Sequence, residues 1–360
     1  MAYNQPVLTD PAGANAIPSG SRNRILYQSE ALAVAKTDPA ETNFLRRVQS
    51  VNYSFSVGRT DVNQFGELAA IDRVILEQPT VTMDFSYILN GTKNEEALGF
   101  NVNTMGTVEA GGTSMIADII GSTNDKLQYY VSLAADGTDA ATNPAGTVKS
   151  NIKVPDGFIT SYSSSGSVGE FPTATVNLEA LDMKIGANNA AQLDISAGNA
   201  ATETGNTSSY VLRPGEIELD IIAFGGVVHL QSFTLTVDLT REPINRLGTN
   251  FPFARVISFP LNATLSAEGI LSSDDQVNND NSLDNLVDND AALDNLVVDC
   301  KKQTGTGHVD GIRYTMKKAK LDSYSYTSSI GSNKAVSMDW SVPIGSATQT
   351  DRGVFIEKNT

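Results

Sequence analysis

Apolar and polar residues alternate through most of the patterned segments of this chain. Val51, Tyr53, Phe55 and Val57 are separated by Asn52, Ser54 and Ser56. A period of two puts one face of a strand in a core and the other in water. The same alternation runs through Val81–Tyr87, Ala174–Leu181, Phe233–Leu239 and Val336–Trp340. Helical patterns are few and short. Asn94–Phe100, ended by Gly99, and Ser114–Ile120 each predict a turn or two of helix. The expected fold is mainly β, with antiparallel strands and short flanking helices.

The pattern occurs twice. Gln49–Leu89 overlies Gln231–Leu271 at a constant offset of 182 with no gap. Arg59, Asn63, Gly66 and Arg73 fall on Arg241, Asn245, Gly248 and Arg255, and Gln49, Val74, Ile75 and Thr82 also recur identically. Alternation alone would not bring arginines, an asparagine and a glycine back in register. A later block, Ser161-Tyr162-Ser163 with Ser167-Val168-Gly169, recurs as Ser323-Tyr324-Ser325 with Ser329-Ile330-Gly331 at an offset of 162. The shorter offset places extra chain in the first copy, between Asn103 and Val154. Repeats of this kind predict two copies of one supersecondary unit. The expected organisation is an N-terminal arm over residues 1–22, a first β domain over 23–204 and a second over 205–360. Residues 187–209, rich in Ala, Asn, Gly, Ser and Thr, read as a linker or loop.

Between the first two strands of each copy lies a long stretch without alternation, Gly58–Arg73 and Thr240–Arg255. A loop of that length in a compact domain is usually functional or an interface element. Its repeated Arg, Asn and Gly argue against an inert surface extension.

Composition narrows the chemistry. The chain has 360 residues, a net charge of −16 and a charged fraction of 18%, below the roughly 25% of an average soluble protein. An acidic balance disfavours gripping nucleic acid by phosphate neutralisation. The single cysteine, Cys300, cannot form an internal disulfide. Neighbouring Lys301 and Lys302 would favour its thiolate if it were exposed. The two histidines, His229 in an apolar strand and His308 in a Gly/Thr-rich turn, cannot supply a zinc cluster. No nucleophile elbow, Walker A loop or dinucleotide fingerprint is present. Residues 273–299 carry eight Asp and the repeated Leu283-Asp284-Asn285-Leu286-Val287 and Leu293-Asp294-Asn295-Leu296-Val297. Oxygen ligands for calcium are plentiful there, but EF-hand spacing is missing, so a solvated loop is the expectation. No apolar run approaches the roughly 20 residues of a membrane span. The N-terminus lacks a signal-peptide pattern, which predicts a chain that stays in the cytoplasm where it is made. No catalytic, cofactor or metal site is expected.

Thr240-Arg241-Glu242-Pro243-Ile244-Asn245-Arg246-Leu247-Gly248, followed by Pro252-Phe253-Ala254-Arg255-Val256-Ile257-Ser258-Phe259-Pro260, resembles the R-x-P-apolar-x-x-L-G and P-aromatic-x-R stretch of major tail tube proteins of long-tailed bacteriophages. Ser161–Val176 looks like their late strand pair, and Asn94–Phe100 is similar to their short helix. The likeness covers about half of the chain. The first copy departs from it, with Asp61 and Ala70 where the second has Pro243 and Pro252.

The resemblance implies two tandem tail-tube-type domains, each a β-sandwich or partly closed barrel. Their inner sheets would line a channel in a ring, and rings would stack into the tube through which the genome leaves. The duplication favours three two-domain chains per ring with pseudo-sixfold symmetry over six single-domain chains. The implied partners are further copies of the chain, tape-measure, tail-terminator and baseplate or tip proteins, and DNA passing without specific binding. The implied location is the virion tail, assembled in the host cytoplasm, with no membrane. Arg59, Asn63, Gly66, Arg73, Arg241, Asn245, Gly248 and Arg255 are expected in inter-subunit loops. The arginines would pair with carboxylates across subunits, and the glycines would allow turns other residues avoid. Acidic residues should line the channel. Two other readings stay open, a secreted or surface-displayed adhesin-like binding module and a capsid decoration protein. An enzyme ranks last.

Overall fold

The computed structural model describes residues 27–36, 43–76, 79–89, 91–109, 111–120, 125–135, 137, 139–140, 148–186, 217–221, 228–248, 252, 254–271, 295–304, 307–331 and 333–358. The arm, the 187–209 linker, the 204/205 boundary and most of the Asp-rich segment lie outside these residues. The fold is mainly β. The first half contains β1 (Tyr27–Ala35), β2 (Asn43–Phe44), β3 (Val48–Ser56), β4 (Thr60–Val62), β5 (Asp72–Val74), β6 (Thr80–Ile88), α1 (Lys93–Ala97), β7 (Val102–Thr104), β8 (Leu127–Ala135), β9 (Val148–Ser167), β10 (Thr173–Ala180) and β11 (Lys184–Gly186). The second contains β12 (Ile217–Ile221), β13 (Val228–Asp238), β14 (Arg241–Ile244), β15 (Ala254–Ile257), β16 (Leu261–Leu271), β17 (Asn295–Thr304), β18 (Gly307–Lys317), β19 (Lys320–Thr327), β20 (Ala335–Ile344) and β21 (Gly353–Lys358).

The alternating segments are all strands of one sheet. Its order is β3-β6-β10-β9-β13-β16-β20-β19, antiparallel throughout. The first four strands and the last four follow the same sequence of matched elements. The irregularities match as well. A bulge at Gln49 in β3 recurs at Gln231 in β13. Another, at Thr160 in β9, recurs at Asp322 in β19. Asp156 and Lys318, related by the same 162 offset, both have positive φ, 51° and 57°. Such backbone is uncommon outside glycine, so its recurrence is a detail of the fold, not of composition.

One face of this sheet is apolar and buried. Met83, Phe85, Val176, Tyr162, Leu235, Leu265, Met338 and Trp340 belong to one continuous core. A second layer covers it. In the first half β1-β8-β9-β11 pair in that order, and in the second β12-β17-β18-β21, with β7 added parallel to β21. β1 is buried on both faces. Leu32 and Val34 join the main core, while Ala31, Ala33 and Ala35 pack with Phe44 and Tyr130.

Some expectations are corrected. Ser114–Ile120 forms successive turns, not a helix. Its backbone is drawn off by Met115 N–H, which donates to Val354 C=O across the core at 2.9 Å. Asn295–Asp299 is strand, not acidic loop, because Leu296 and Val298 are buried against the core. His308 lies in β18, not in a turn. Cys300 is buried in β17, and burial holds its thiol protonated. The two long loops are β-hairpins, β4–β5 and β14–β15.

The helix α1 is anchored from its buried side. The Asn94 side chain accepts from Arg46 N–H at 2.8 Å and donates to Arg46 C=O at 2.9 Å. Gly99, at φ 84°, provides the left-handed residue just beyond the helix. Glu95 is fully buried and accepts hydrogen bonds from Tyr87 Oη at 2.7 Å and Tyr162 Oη at 3.2 Å. Tyr162 Oη in turn meets Tyr314 Oη of the second layer at 2.6 Å. Burial raises the Glu95 carboxyl to about 7. The folded chain therefore binds this proton more tightly than the unfolded chain. Stability from Glu95 is present in full below its unfolded value and is lost as pH rises through about 7. Urea unfolding should show the wild type losing stability between pH 5.5 and 8 relative to Glu95→Gln, with the variant ahead by up to roughly 3 kcal/mol at pH 8.

Candidate assembly interface

β9 and β13 form the junction between the two halves of the sheet. Ser167 stands opposite Ser232, Gly166 opposite Phe233, Ser164 opposite Leu235 and Tyr162 opposite Val237. Two further backbone bonds extend the ladder, from Leu239 N–H to Thr160 C=O at 2.8 Å and from Val168 N–H to Gln231 C=O at 2.9 Å. Gly166 leaves room for the Phe233 ring, since a Cβ there would stand 2.8 Å from it.

Each half of the sheet begins with one kind of strand and ends with another. The end strand of the first half, β9, is paired with the start strand of the second, β13. The start strand of the first half, β3, and the end strand of the second, β19, stand at the two margins of the sheet. Matched side chains differ accordingly. Val237 in β13 is fully buried, whereas its counterpart Phe55 in β3 is 61% exposed. Ser164 in β9 is fully buried, whereas its counterpart Tyr326 in β19 is 50% exposed.

The hairpins repeat this contrast. β14–β15 continues from β13 and lies on the first half. The Arg241 guanidinium is buried, donates through Nε to Ile159 C=O at 3.2 Å and through Nη1 to Asp125 Oδ1 at 2.6 Å, and lies over the Phe158 ring. Arg255 pairs with Glu179 of β10. Ile257 is buried. In β4–β5 the counterparts Arg59, Arg73 and Ile75 are exposed, and the Arg73 side chain meets Asp61 of its own hairpin, at 2.5 Å. Phe65, Leu68 and Leu76 add large exposed apolar groups to this hairpin. The seated hairpin also exposes Ile244, Leu247 and Val256, so the arginines and Ile257 carry the contrast. Gly66 and Gly248, at φ 99° and 86°, make the matching turns, with Asn63 and Asn245 exposed beside them.

Of the eight expected loop residues the four arginines divide into two groups, while Asn63, Gly66, Asn245 and Gly248 sit alike in both hairpins. Arg241 and Arg255 meet carboxylates of the same chain, across its two halves. Arg59 and Arg73 present the same chemistry outward. The repeat in the sequence located both hairpins. Nothing in it distinguished the filled position from the open one.

The opposite face of the sheet is polar. Ser, Thr and Asn dominate it, with Asp84, Glu179, Asp238, Glu268 and Asp339, and with Lys320 as the cation on its described strands. Cross-strand bonds fix two of these carboxylates firmly. Asn52 donates to Asp84 at 2.8 Å, and the Ser266 and Ser323 hydroxyls donate to Asp339 at 2.6 and 2.5 Å. Those hydroxyls hold the Asp339 carboxyl below its ordinary value. The face is polar and carries more carboxylates than cations on its described strands. A cleft of about 470 Å³ beside β15 is lined by Phe158, Leu181, Ile257 and Phe259 together with Asp125, Lys126 and Arg255. Its charged groups are already engaged, in Arg241–Asp125, Lys126–Asp156 and Arg255–Glu179. No group of acidic, histidine and cysteine residues fit to hold a metal occurs among the described residues. No helix among them is long and apolar enough to cross a membrane.

Identical arginines should therefore behave differently in the isolated chain. Arg241→Ala breaks a buried pair and should cost about 2–3 kcal/mol in urea unfolding. Arg73→Ala removes an exposed pair and should cost below about 0.5 kcal/mol. Arg255→Glu, facing Glu179, should impair the folded chain itself.

No known protein family model matches this chain. No curated protein matches it either.

Proposed function

We propose that the chain is a structural protein that joins head to tail with copies of itself into closed rings, which stack into a phage tail tube. The observation that carries this reading is the internal junction. A start strand and a hairpin from one half are seated on the end strand of the other, while the same start strand, hairpin and end strand lie exposed at the margins of the chain. A surface that meets a different surface on the next copy makes a heterologous contact, which closes into a ring when the rotation permits. Exposed sheet edges invite pairing with further strands, and closure removes them.

Three chains would contribute eight strands each to one barrel. With strands about 4.8 Å apart and tilted 35–45°, its backbone diameter is roughly 50 Å and its channel roughly 40 Å, wider than a nucleic-acid duplex. The polar face would line the channel. Its carboxylates repel phosphate, so DNA passes without the counterion release that rewards binding. This reading makes the two halves tandem tail-tube-type domains, places the chain in the virion tail after assembly in the host cytoplasm, and assigns it no catalytic step. Tape-measure, terminator and tip proteins would meet the ends of the stack.

Negative-stain electron microscopy of the purified protein tests the proposal. Hollow rings or tubes on the order of 100 Å wide, as expected for six small β domains around a channel, support it. A protein that stays monomeric at high concentration contradicts it.

A further inference from the structure

The internal junction supplies a register for the contact between copies, and this inference rests on the ring proposed above. Subtracting 182 from a residue of β13 gives its counterpart in β3. Adding 162 to a residue of β9 gives its counterpart in β19. Both offsets carry the bulges with them, Gln231 onto Gln49 and Thr160 onto Asp322. We infer that β19 of one copy pairs antiparallel with β3 of the next, with Tyr326 opposite Tyr53, Ser325 opposite Ser54 and Tyr324 opposite Phe55.

The closing bonds transfer in the same way. Leu239 N–H to Thr160 C=O becomes Val57 N–H to Asp322 C=O, and Val168 N–H to Gln231 C=O becomes Ile330 N–H to Gln49 C=O. The β4–β5 hairpin follows β3 onto the same neighbour, which brings Arg59 to the carbonyl of Leu321, the counterpart of Ile159. The carboxylate that Arg255 meets is not repeated for its counterpart Arg73, because Glu179 corresponds to Ser341.

The two seams differ in composition for a physical reason. Inside the chain, the halves are tethered, and the seam joins Leu235 to Ser164 and Phe233 to Gly166. Between copies, association must offset lost translational and rotational freedom. There the seam replaces Leu235 by Tyr53, Val237 by Phe55 and Ser164 by Tyr326. Tyr324 and Tyr326 already stand edge to face, with centroids 4.6 Å apart. Cross-strand aromatic pairs are among the most stabilising neighbours in a sheet. The seam between copies is therefore an aromatic clasp of Tyr53, Phe55, Tyr324 and Tyr326, where the matching internal positions hold Tyr162 as their one aromatic residue.

Disulfide trapping tests the register. Ser54→Cys and Ser325→Cys together put two thiols directly opposite each other on the polar face, within disulfide reach. Asn52→Cys with Ser325→Cys puts them on a diagonal about 7–8 Å apart, too far to bridge. Both variants are assembled, checked for rings by electron microscopy, oxidised with a copper catalyst and run on a non-reducing gel. The expected result is a ladder ending at covalent trimer for the first pair and monomer for the second. Rings with no ladder from the first pair, or a ladder from the second, overturn the register while the ring stands. Absence of rings in the wild type overturns both. As a second readout, Tyr326→Ser, which copies the internal Ser164, should raise the concentration needed for assembly at least tenfold with an unchanged urea midpoint. An unchanged assembly concentration overturns the aromatic clasp.

Discussion

The structure depends on one constraint, that the backbone donors and acceptors of a sheet edge must find partners. At β9 and β13 the chain meets it internally, and everything nearby is arranged around that ladder. Gly166 clears space for Phe233, the bulges at Thr160 and Gln231 set the twist and register, and β14–β15 is carried across onto Phe158, Asp125 and Glu179. At β3 and β19 the same constraint is left open among the described residues. Both open strands carry aromatic residues on their core-facing side, where a solitary protein would be expected to place charges or a covering loop.

The polar face follows a second requirement. A sheet with one buried face shows polar residues on the other, but Ser, Thr and Asn alone would satisfy that. The added carboxylates are held by neighbours, as Asp84 is by Asn52 and Asp339 by Ser266 and Ser323. Hydrogen bonding to the charged form holds the Asp339 carboxyl below its ordinary value. Under the proposed assembly, part of the chain's −16 charge becomes a fixed property of the channel wall. Tyr87, Glu95, Tyr162 and Tyr314 tie that wall to the second layer through one buried hydrogen-bonded cluster. Its stability declines with rising pH because the carboxyl at its centre prefers to remain protonated.

Much of the fold was legible in the sequence because its signals are local or repeated. Period-two alternation located β3, β6, β10, β13 and β20, and the constant offset located both hairpins and their turn glycines, Gly66 and Gly248. Weak local signals failed where tertiary contacts prevailed. Ser114–Ile120 has helical spacing, but its backbone is recruited by β21. Asn295–Asp299 reads as acidic loop, but Leu296 and Val298 reach the core. The candidate site was legible in position and not in state. Arg241 and Arg59 hold the same place in the repeat and have opposite surroundings in space. Which hairpin is seated depends on which half follows which, a property of the order of the halves and not of either one.

Amide hydrogen exchange, read separately on assembled and dissociated protein, bears most directly on the claim that two open edges close on other copies. In dissociated chains Ser50–Ser56 and Ser323–Thr327 should exchange rapidly beside a protected β9–β13 ladder. On assembly both segments should slow to the rate of that ladder. Edges that stay fast in the assembled protein would contradict the account, because the copies would then be joined by some other surface.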